Sequence, residues 1–179
     1  MKKTNALTCF VQLVFAILPL LCLGIVHFNL SLDWTRGASG HLYQAGHANT
    51  VAVAMPELNA AVSYLEDKGL TIGNSAIFFP TPANDIGFFY KNIKASQSDL
   101  QRALENKNLS QLEESNLLIK LRESLLVHAD HGDTVKEPDG MEIYPHNRLW
   151  CFLYIGSIVW GCCIVLMIVV NIQISQLRD

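Results

Sequence analysis

Residues 149–177 read LWCFLYIGSIVWGCCIVLMIVVNIQISQL and contain no Asp, Glu, Lys or Arg. A second uncharged run covers residues 4–32, and only 16% of the whole chain is charged, against about 25% in soluble domains. An α-helix of about 20 apolar residues is long enough to cross the hydrocarbon layer of a bilayer. Each run therefore predicts one membrane-spanning helix, and the pair predicts an integral membrane protein.

The first run also fits a cleaved signal peptide, because Lys2 and Lys3 precede its apolar part. Against cleavage, the apolar part is long, and no small-x-small site follows it before Asp33. We therefore expect an uncleaved anchor. The predicted organisation is a cytoplasmic tail (1–5), a first transmembrane helix (6–31), an extracytoplasmic helical domain (32–147), a second transmembrane helix (148–174) and another cytoplasmic tail (175–179).

Three aromatic residues lie at the ends of the runs that face the middle of the chain: Trp34, Trp150 and Tyr154. Tryptophan and tyrosine collect at the membrane interface because their rings are apolar and also form hydrogen bonds. We expect all three at the interface on the side of the central domain.

The charges near the two runs favour a cytoplasmic location for both tails. The tails carry Lys2, Lys3 and Arg178, whereas only Arg36 and Arg148 lie close to the runs on the other side. The expected location is a bacterial inner membrane, with residues 32–147 in the periplasm.

The cysteines and charges of the chain restrict what the central domain can be. All five cysteines lie in the apolar runs, so the domain has no disulfides and depends on packing: Cys9, Cys22, Cys151, Cys162 and Cys163. Between the runs, acidic residues outnumber Lys and Arg. Nucleic-acid-binding surfaces have the opposite sign, so we expect no nucleic acid as a partner.

The central domain has the spacing of helices. Apolar residues recur every three or four positions over residues 38–66, where we expect Pro56 to kink the helix or to begin a second one. Gly69 is placed to end it as a C-terminal cap. The resulting fold class is all-α: two transmembrane helices flank a three- or four-helix bundle with irregular connections.

Capping residues mark two further helices in this domain. Asn84 or Asp85 begins a helix that extends to about Asn106. Ser110 and Glu113 form a capping box, and the helix that follows is predicted to reach about Ala129. An aromatic cluster lies between the predicted helices and in the first turn of the second one. We expect most of it in the core, with an exposed partner site as the alternative: Phe78, Phe79, Phe88, Phe89 and Tyr90.

The segment 128–133 contains the ligand types that zinc and other divalent metals prefer: His128, Asp130, His131 and Asp133. The favoured interpretation is a helix end followed by a polar turn, because no other His or Cys pair of the domain has ligand spacing. We therefore expect no metal, and these four residues are the candidates if one binds.

The second run has a small-xxx-small spacing at Ser157 and Gly161, which allows another helix to approach closely. The partner is either the first transmembrane helix, near Ala16 and Gly24, or another subunit. We favour the contact within the chain.

The sequence contains no signature of catalysis. It has no Gly-x-Ser-x-Gly elbow, no cysteine in the central domain and no glycine-rich phosphate loop. We therefore expect no enzyme activity and no cofactor.

We expect a structural or accessory protein whose partners are the lipid bilayer and another membrane or envelope protein, or a second copy of the chain. The layout, but no motif, resembles the input half of bacterial sensors and chemoreceptors, and by that analogy the alternative is a ligand-sensing module. Only Arg178 and Asp179 follow Leu177, so such a module would signal through a separate partner. A metal-dependent enzyme is a third and weaker alternative.

Overall fold

The computed structural model describes residues 2–106, 108–130 and 132–178. The chain is mostly helical. Its α-helices are α1 (Lys2–Trp34), α2 (Gly40–Gly46), α3 (Val51–Asp67), α4 (Ile86–Glu105), α5 (Gln111–Leu125) and α6 (Asn147–Arg178). A π-helical turn, Thr35–Ser39, joins α1 to α2. Two short strands pair as an antiparallel hairpin: β1 (Leu126–Ala129) and β2 (Gly132–Val135). This hairpin corrects the expectation of an all-α fold.

The chain forms two compact units, which are described separately below. The terminal unit comprises Met1–Asn29 and His146–Asp179, and the central unit comprises Leu30–Pro145. Two helical stretches are long and apolar enough to cross a membrane, Ala6–Gly46 and Asn147–Ile174. Most of their large apolar side chains are exposed, a surface typical of helices surrounded by lipid.

Within the terminal unit, Gly161 of α6 lies against α1. A Cβ atom added at Gly161 would lie 3.4 Å from the carbonyl oxygen of Ala16. Next to it, the indole Nε1 of Trp160 donates a hydrogen bond to the carbonyl of Phe15 at 3.3 Å. Ser157 is half-buried, and its hydroxyl donates to the Leu153 carbonyl of its own helix. Of the two small residues, Gly161 is thus the one in close contact with the backbone of the first helix.

Substitution of Gly161 by isoleucine should weaken the packing of α6 on α1. A Cβ atom at Gly161 would already be in van der Waals contact with the Ala16 carbonyl oxygen, so we expect the additional atoms of isoleucine to overpack this contact, at a cost of about 1–3 kcal/mol. The control is Gly156→Ile, because a Cβ at Gly156 would have no atom of another described part of the chain within 4 Å. Thermal unfolding of the full-length protein in detergent should show a lower midpoint for Gly161→Ile alone. Equal midpoints for the two variants would contradict the contact.

The three aromatic residues expected at the membrane interface have different surroundings. The rings of Trp150 and Tyr154 lie next to each other in α6 at a tilt of 39°, and the Tyr154 hydroxyl lies 2.9 Å from Nδ1 of His27. Trp34 is only 4% exposed in the core of the central unit, and its Nε1 donates to Glu137 at 3.1 Å. The interface prediction therefore rests on Trp150 and Tyr154, because the Trp34 ring is packed inside the domain.

The central unit is built around one apolar core, to which α3 contributes the largest share. The fully buried members include Leu42 of α2, Leu58 and Leu65 of α3, and Ile93 and Leu100 of α4. The α3 helix contacts both α2 and α4, and α5 contacts α2 and α4.

Three predicted helix ends agree with the structure. Asp85 caps α4 by accepting the Phe88 N–H, and Ser110 and Glu113 form the complete capping box of α5. At the end of α3, Gly69 has a φ of 69°, and Leu70 N–H bonds back to the Leu65 carbonyl. This last pattern is a Schellman motif.

Two other predictions for this unit differ from the structure. Pro56 does not begin a helix, because the second helix begins at Val51 after a break at residues 47–50, and Thr50 caps it through the Val53 N–H. Pro56 lies inside α3, where burial of the face that includes Met55 and Leu58 outweighs the missing backbone hydrogen bond. The helix predicted to reach Ala129 ends at Leu125, and the chain continues as β1.

Candidate functional site

The segment between α3 and α4 exposes large apolar side chains. Phe79 is 84% exposed, Phe78 is 55% exposed and Ile77 is 36% exposed. We call residues 76–83 the aromatic loop; Ile72 before it and Phe88 after it are exposed as well. Residues 69–84 include no charged side chain.

Hydrogen bonds close the base of the aromatic loop. Ser75 N–H donates to the Asn84 carbonyl, and Ile86 N–H donates to the Gly73 carbonyl, both at 3.0 Å. The Asn74 side chain accepts from Ala76 N–H and donates to the Thr81 carbonyl across the loop. These hydrogen bonds join the two ends of the loop and restrict the conformations that its base can adopt.

The expectation that most of the aromatic cluster forms core was wrong. Phe89 is buried and Tyr90 is half-buried, but Phe78, Phe79 and Phe88 are exposed. The buried and the exposed phenylalanines lie in similar, mostly uncharged stretches of sequence. The sequence alone therefore does not show which rings become exposed. The exposed-site alternative is the one that fits this geometry.

Exposed phenylalanines in a loop closed by hydrogen bonds are suited to binding an apolar surface. Covering a phenylalanine side chain completely contributes about 1.5–3 kcal/mol. Because the loop is already closed by hydrogen bonds, binding orders few additional groups, and more of that contribution is retained as affinity. The aromatic loop is therefore the best candidate interaction site in the described chain.

A cluster of polar side chains surrounds Asp133 of β2. Its Oδ1 lies 2.8 Å from Nδ1 of His128, and its Oδ2 lies 2.6 Å from the Arg122 guanidinium and 3.1 Å from Nε2 of His47. The hydrogen bond with His128, and then that with Arg122, hold the pKa of Asp133 well below its usual range. His47 and Arg122 lie outside the segment 128–133, and no spacing in the sequence indicates that they contact Asp133.

This arrangement does not favour the metal candidates. His128 and Asp133 are in contact, Asp130 lies in the exposed hairpin turn, and His131 lies outside the described residues. The Arg122 guanidinium already neutralises the Asp133 carboxylate and would repel a cation there. Within residues 2–106, 108–130 and 132–178, no group of three or more His, Cys, Asp or Glu side chains is arranged to hold a metal ion.

A cleft in the central unit lies next to the aromatic loop. We call it the lateral cleft; its volume is about 460 Å³ and it includes Pro82 and Ala83 of the loop. Phe88, Phe89 and Ile93 of α4 and Leu125 of α5 also line it. Glu137 lies in the cleft wall, and burial raises the pKa of its carboxyl despite the hydrogen bonds from Trp34 and Ser39.

Glu137→Gln should stabilise the protein at neutral pH. The folded protein holds the Glu137 proton more tightly than the unfolded chain does, so the group contributes stability below its unfolded pKa of about 4.5. That contribution is lost as the pH rises through the raised pKa of the folded state. Glutamine carries no charge and still accepts the Trp34 hydrogen bond.

Urea unfolding of the full-length protein at pH 7 and pH 4 checks this prediction. The Glu137→Gln variant should have a higher midpoint than the parent at pH 7, and the difference should shrink at pH 4. Glu123→Gln makes the same change at an exposed position and should shift neither midpoint. An advantage of Glu137→Gln that is equal at both pH values would contradict the burial of the charge.

Compared with protein-family models, with curated proteins and with solved structures, the chain matches none of them.

Proposed function

We propose that this chain is a non-catalytic integral membrane protein that binds another membrane or envelope protein through the aromatic loop. The observation that carries the proposal is the exposure of Phe78 and Phe79 on a loop closed by hydrogen bonds. Aromatic side chains are enriched at protein interfaces, whereas contiguous apolar patches are rare on free surfaces. The protein would be a structural or accessory component of an assembly.

The proposed location is a bacterial inner membrane, with both tails in the cytoplasm and the central unit in the periplasm. Two helices long and apolar enough to span support the membrane assignment. The charges Lys2, Lys3 and Arg178 on the tails support the orientation. Trp150 and Tyr154 would mark the periplasmic interface.

Replacing Phe78 and Phe79 together by serine should abolish partner binding and leave the fold intact. Both side chains are largely exposed, so each substitution should change the free energy of unfolding by no more than about 0.5 kcal/mol. Because the partner would cover both rings, their loss should raise the dissociation constant of the complex at least about 100-fold. Val53→Ser with Leu112→Ser is the matched control, because these exposed apolar residues lie outside the loop.

Site-specific photo-cross-linking in native membranes measures the contact. A photoreactive phenylalanine analogue at Phe79 should give one discrete product with an integral membrane or envelope protein, and the analogue at Leu112 should give none. Co-purification of that identified protein in mild detergent should then fail for the double serine variant alone. Products with lipid only, or a product of the same size from Leu112, would overturn the proposal.

A second candidate function is ligand sensing, with signalling through a separate partner. The lateral cleft favours it, because its volume lies within the range of about 300–1,000 Å³ that small-molecule sites occupy. A sensing role would require that a ligand in the cleft changes the affinity for the signalling partner.

A further inference from the structure

Both ring nitrogens of His47 face groups that accept hydrogen bonds. His47 lies at the C-terminal end of α2, where its Nδ1 is 2.9 Å from the carbonyl oxygen of Tyr43. Its Nε2 is 3.1 Å from Oδ2 of Asp133 in β2. A backbone carbonyl and an ionised carboxylate can only accept hydrogen bonds. The two contacts therefore form together only when each nitrogen carries a proton, which makes the ring a cation.

The Asp133 carboxyl does not provide the missing proton. Hydrogen bonds with His128 and Arg122 hold its pKa well below the usual range, so Asp133 is an anion wherever histidines titrate. Its side chain is only 11% exposed, and the contact with His47 is thus partly shielded from water. Neutral His47 has one N–H, and it must leave either the carbonyl or the carboxylate facing a lone pair.

The other titratable or charged groups around His47 act in both directions. The Tyr43 ring lies against the imidazole, with 4.3 Å between the ring centroids, and an aromatic ring attracts a cation. The Arg122 guanidinium of α5 binds the same Asp133 oxygen and repels a cationic His47, although the shared anion offsets this repulsion. His128 of β1 lies at the other oxygen, Oδ1. Among the described residues, the cleft beside His47 has no further charged side chain in its walls.

Of the three side chains that contact Asp133, only His47 needs an additional proton for its contacts. Arg122 keeps its charge at every pH at which proteins fold. The contact of His128 with Asp133 requires one N–H, which a neutral histidine has. His47 joins α2 to the β-hairpin, whereas Arg122 joins the hairpin to α5. Loss of a proton from His47 therefore weakens the attachment to α2 and leaves the attachment to α5.

We infer that His47 is a pH-sensitive latch, whose imidazolium form at acidic pH holds the β-hairpin on the end of α2 through Asp133 and whose neutral form at alkaline pH releases it. The pH that acts on the latch is that of the compartment containing the central unit. The inference goes beyond the proposed binding of a partner protein and uses neither Phe78 nor Phe79. Its outcome is therefore independent of the cross-linking result at the aromatic loop.

The test is amide hydrogen exchange of the full-length protein in nanodiscs at pH 5.5 and pH 8.5, on either side of the pKa of about 6.5 that free histidine has. Rates are corrected for the intrinsic pH dependence of exchange, α4 peptides serve as the reference for global stability, and the buffers contain EDTA. Relative to α4, the protection of residues 126–135 should be about three- to tenfold higher at pH 5.5.

Three variants assign the effect to His47. His47→Gln is neutral at both pH values and should remove the pH dependence, whereas His47→Lys stays charged and should keep the hairpin protected at pH 8.5. His41→Gln is the control, because His41 pairs with Glu57 of α3 and not with the hairpin; it should retain the pH dependence of the parent.

Equal protection of the hairpin in the parent at the two pH values would overturn the inference, as would the parent's pH dependence in the folded His47→Gln and His47→Lys variants.

Discussion

Replacing Leu58 by alanine should lower the free energy of unfolding of the central unit by about 2–5 kcal/mol. Leu58 is 0% exposed in the middle of α3 and belongs to the apolar core. Because α3 contacts both α2 and α4, neither neighbour can move into the cavity without losing its other contacts. The cost should therefore be near the upper end of this range.

Hydrogen exchange of the full-length protein, followed by mass spectrometry, measures the effect. Peptides from α3, α4 and α5 should lose protection together in Leu58→Ala, since these helices share one core. Leu112→Ala removes the same atoms from a side chain that is 71% exposed. It should change the free energy of opening, measured by hydrogen exchange, by no more than about 0.5 kcal/mol. If the two variants behave alike, α3 is not the centre of this core.

Local signals in the sequence were sufficient to place several helix ends. The Asp85 cap, the Ser110–Glu113 capping box and the Gly69 cap each depend on residues within one or two turns of the helix end. Backbone groups at helix ends need partners wherever the helix packs. For that reason these predictions did not require knowledge of the tertiary structure.

The β-hairpin could not be recognised from the same kind of signal. Leu118, Leu121, Leu125 and His128 have helical spacing, so the pattern of α5 continues past its real end at Leu125. In the structure, Leu126 pairs with Val135 and is buried, and this pairing outweighs the helical alternative. A short strand is determined by its pairing and packing more than by its own residues.

The candidate site was likewise only partly visible in the sequence. The aromatic cluster was recognised, but its exposure depends on the hydrogen bonds between Gly73–Ser75 and Asn84–Ile86. The lateral cleft is lined by residues of the aromatic loop, of α4 and α5 and of the segment that contains Glu137, which are far apart in the sequence. Contacts between such distant positions cannot be read from spacing in one sequence.

Gly73→Ala should open the base of the aromatic loop. Gly73 has a φ of 117°, a conformation that residues with a Cβ atom rarely adopt, and such strain costs about 1–3 kcal/mol. A Cβ at this position would also collide with the hydroxyl and ring of Tyr144. Either the Tyr144 side chain moves, or the loop base loses the hydrogen bond from Ile86 N–H to the Gly73 carbonyl.

Gly132→Ala separates the backbone strain from the collision with Tyr144. Gly132 has a nearly equal φ of 115°, but among the described residues, chain neighbours aside, no atom lies within 4 Å of its added Cβ. Both variants should lose stability through backbone strain, and Gly73→Ala should lose more because of the collision with Tyr144. The excess should fall when Tyr144→Ala is combined with Gly73→Ala, as a double-mutant cycle would show.

The functional consequence follows from the position of Gly73 at the loop base. With the base open, Phe78 and Phe79 remain exposed but are no longer fixed, so binding a partner must order the loop first. We expect the photo-cross-link at Phe79 to fall several-fold in Gly73→Ala and to be unchanged in Gly132→Ala. Equal cross-linking in the two variants would mean that the partner does not require a closed loop, and that exposed phenylalanine alone is sufficient for binding.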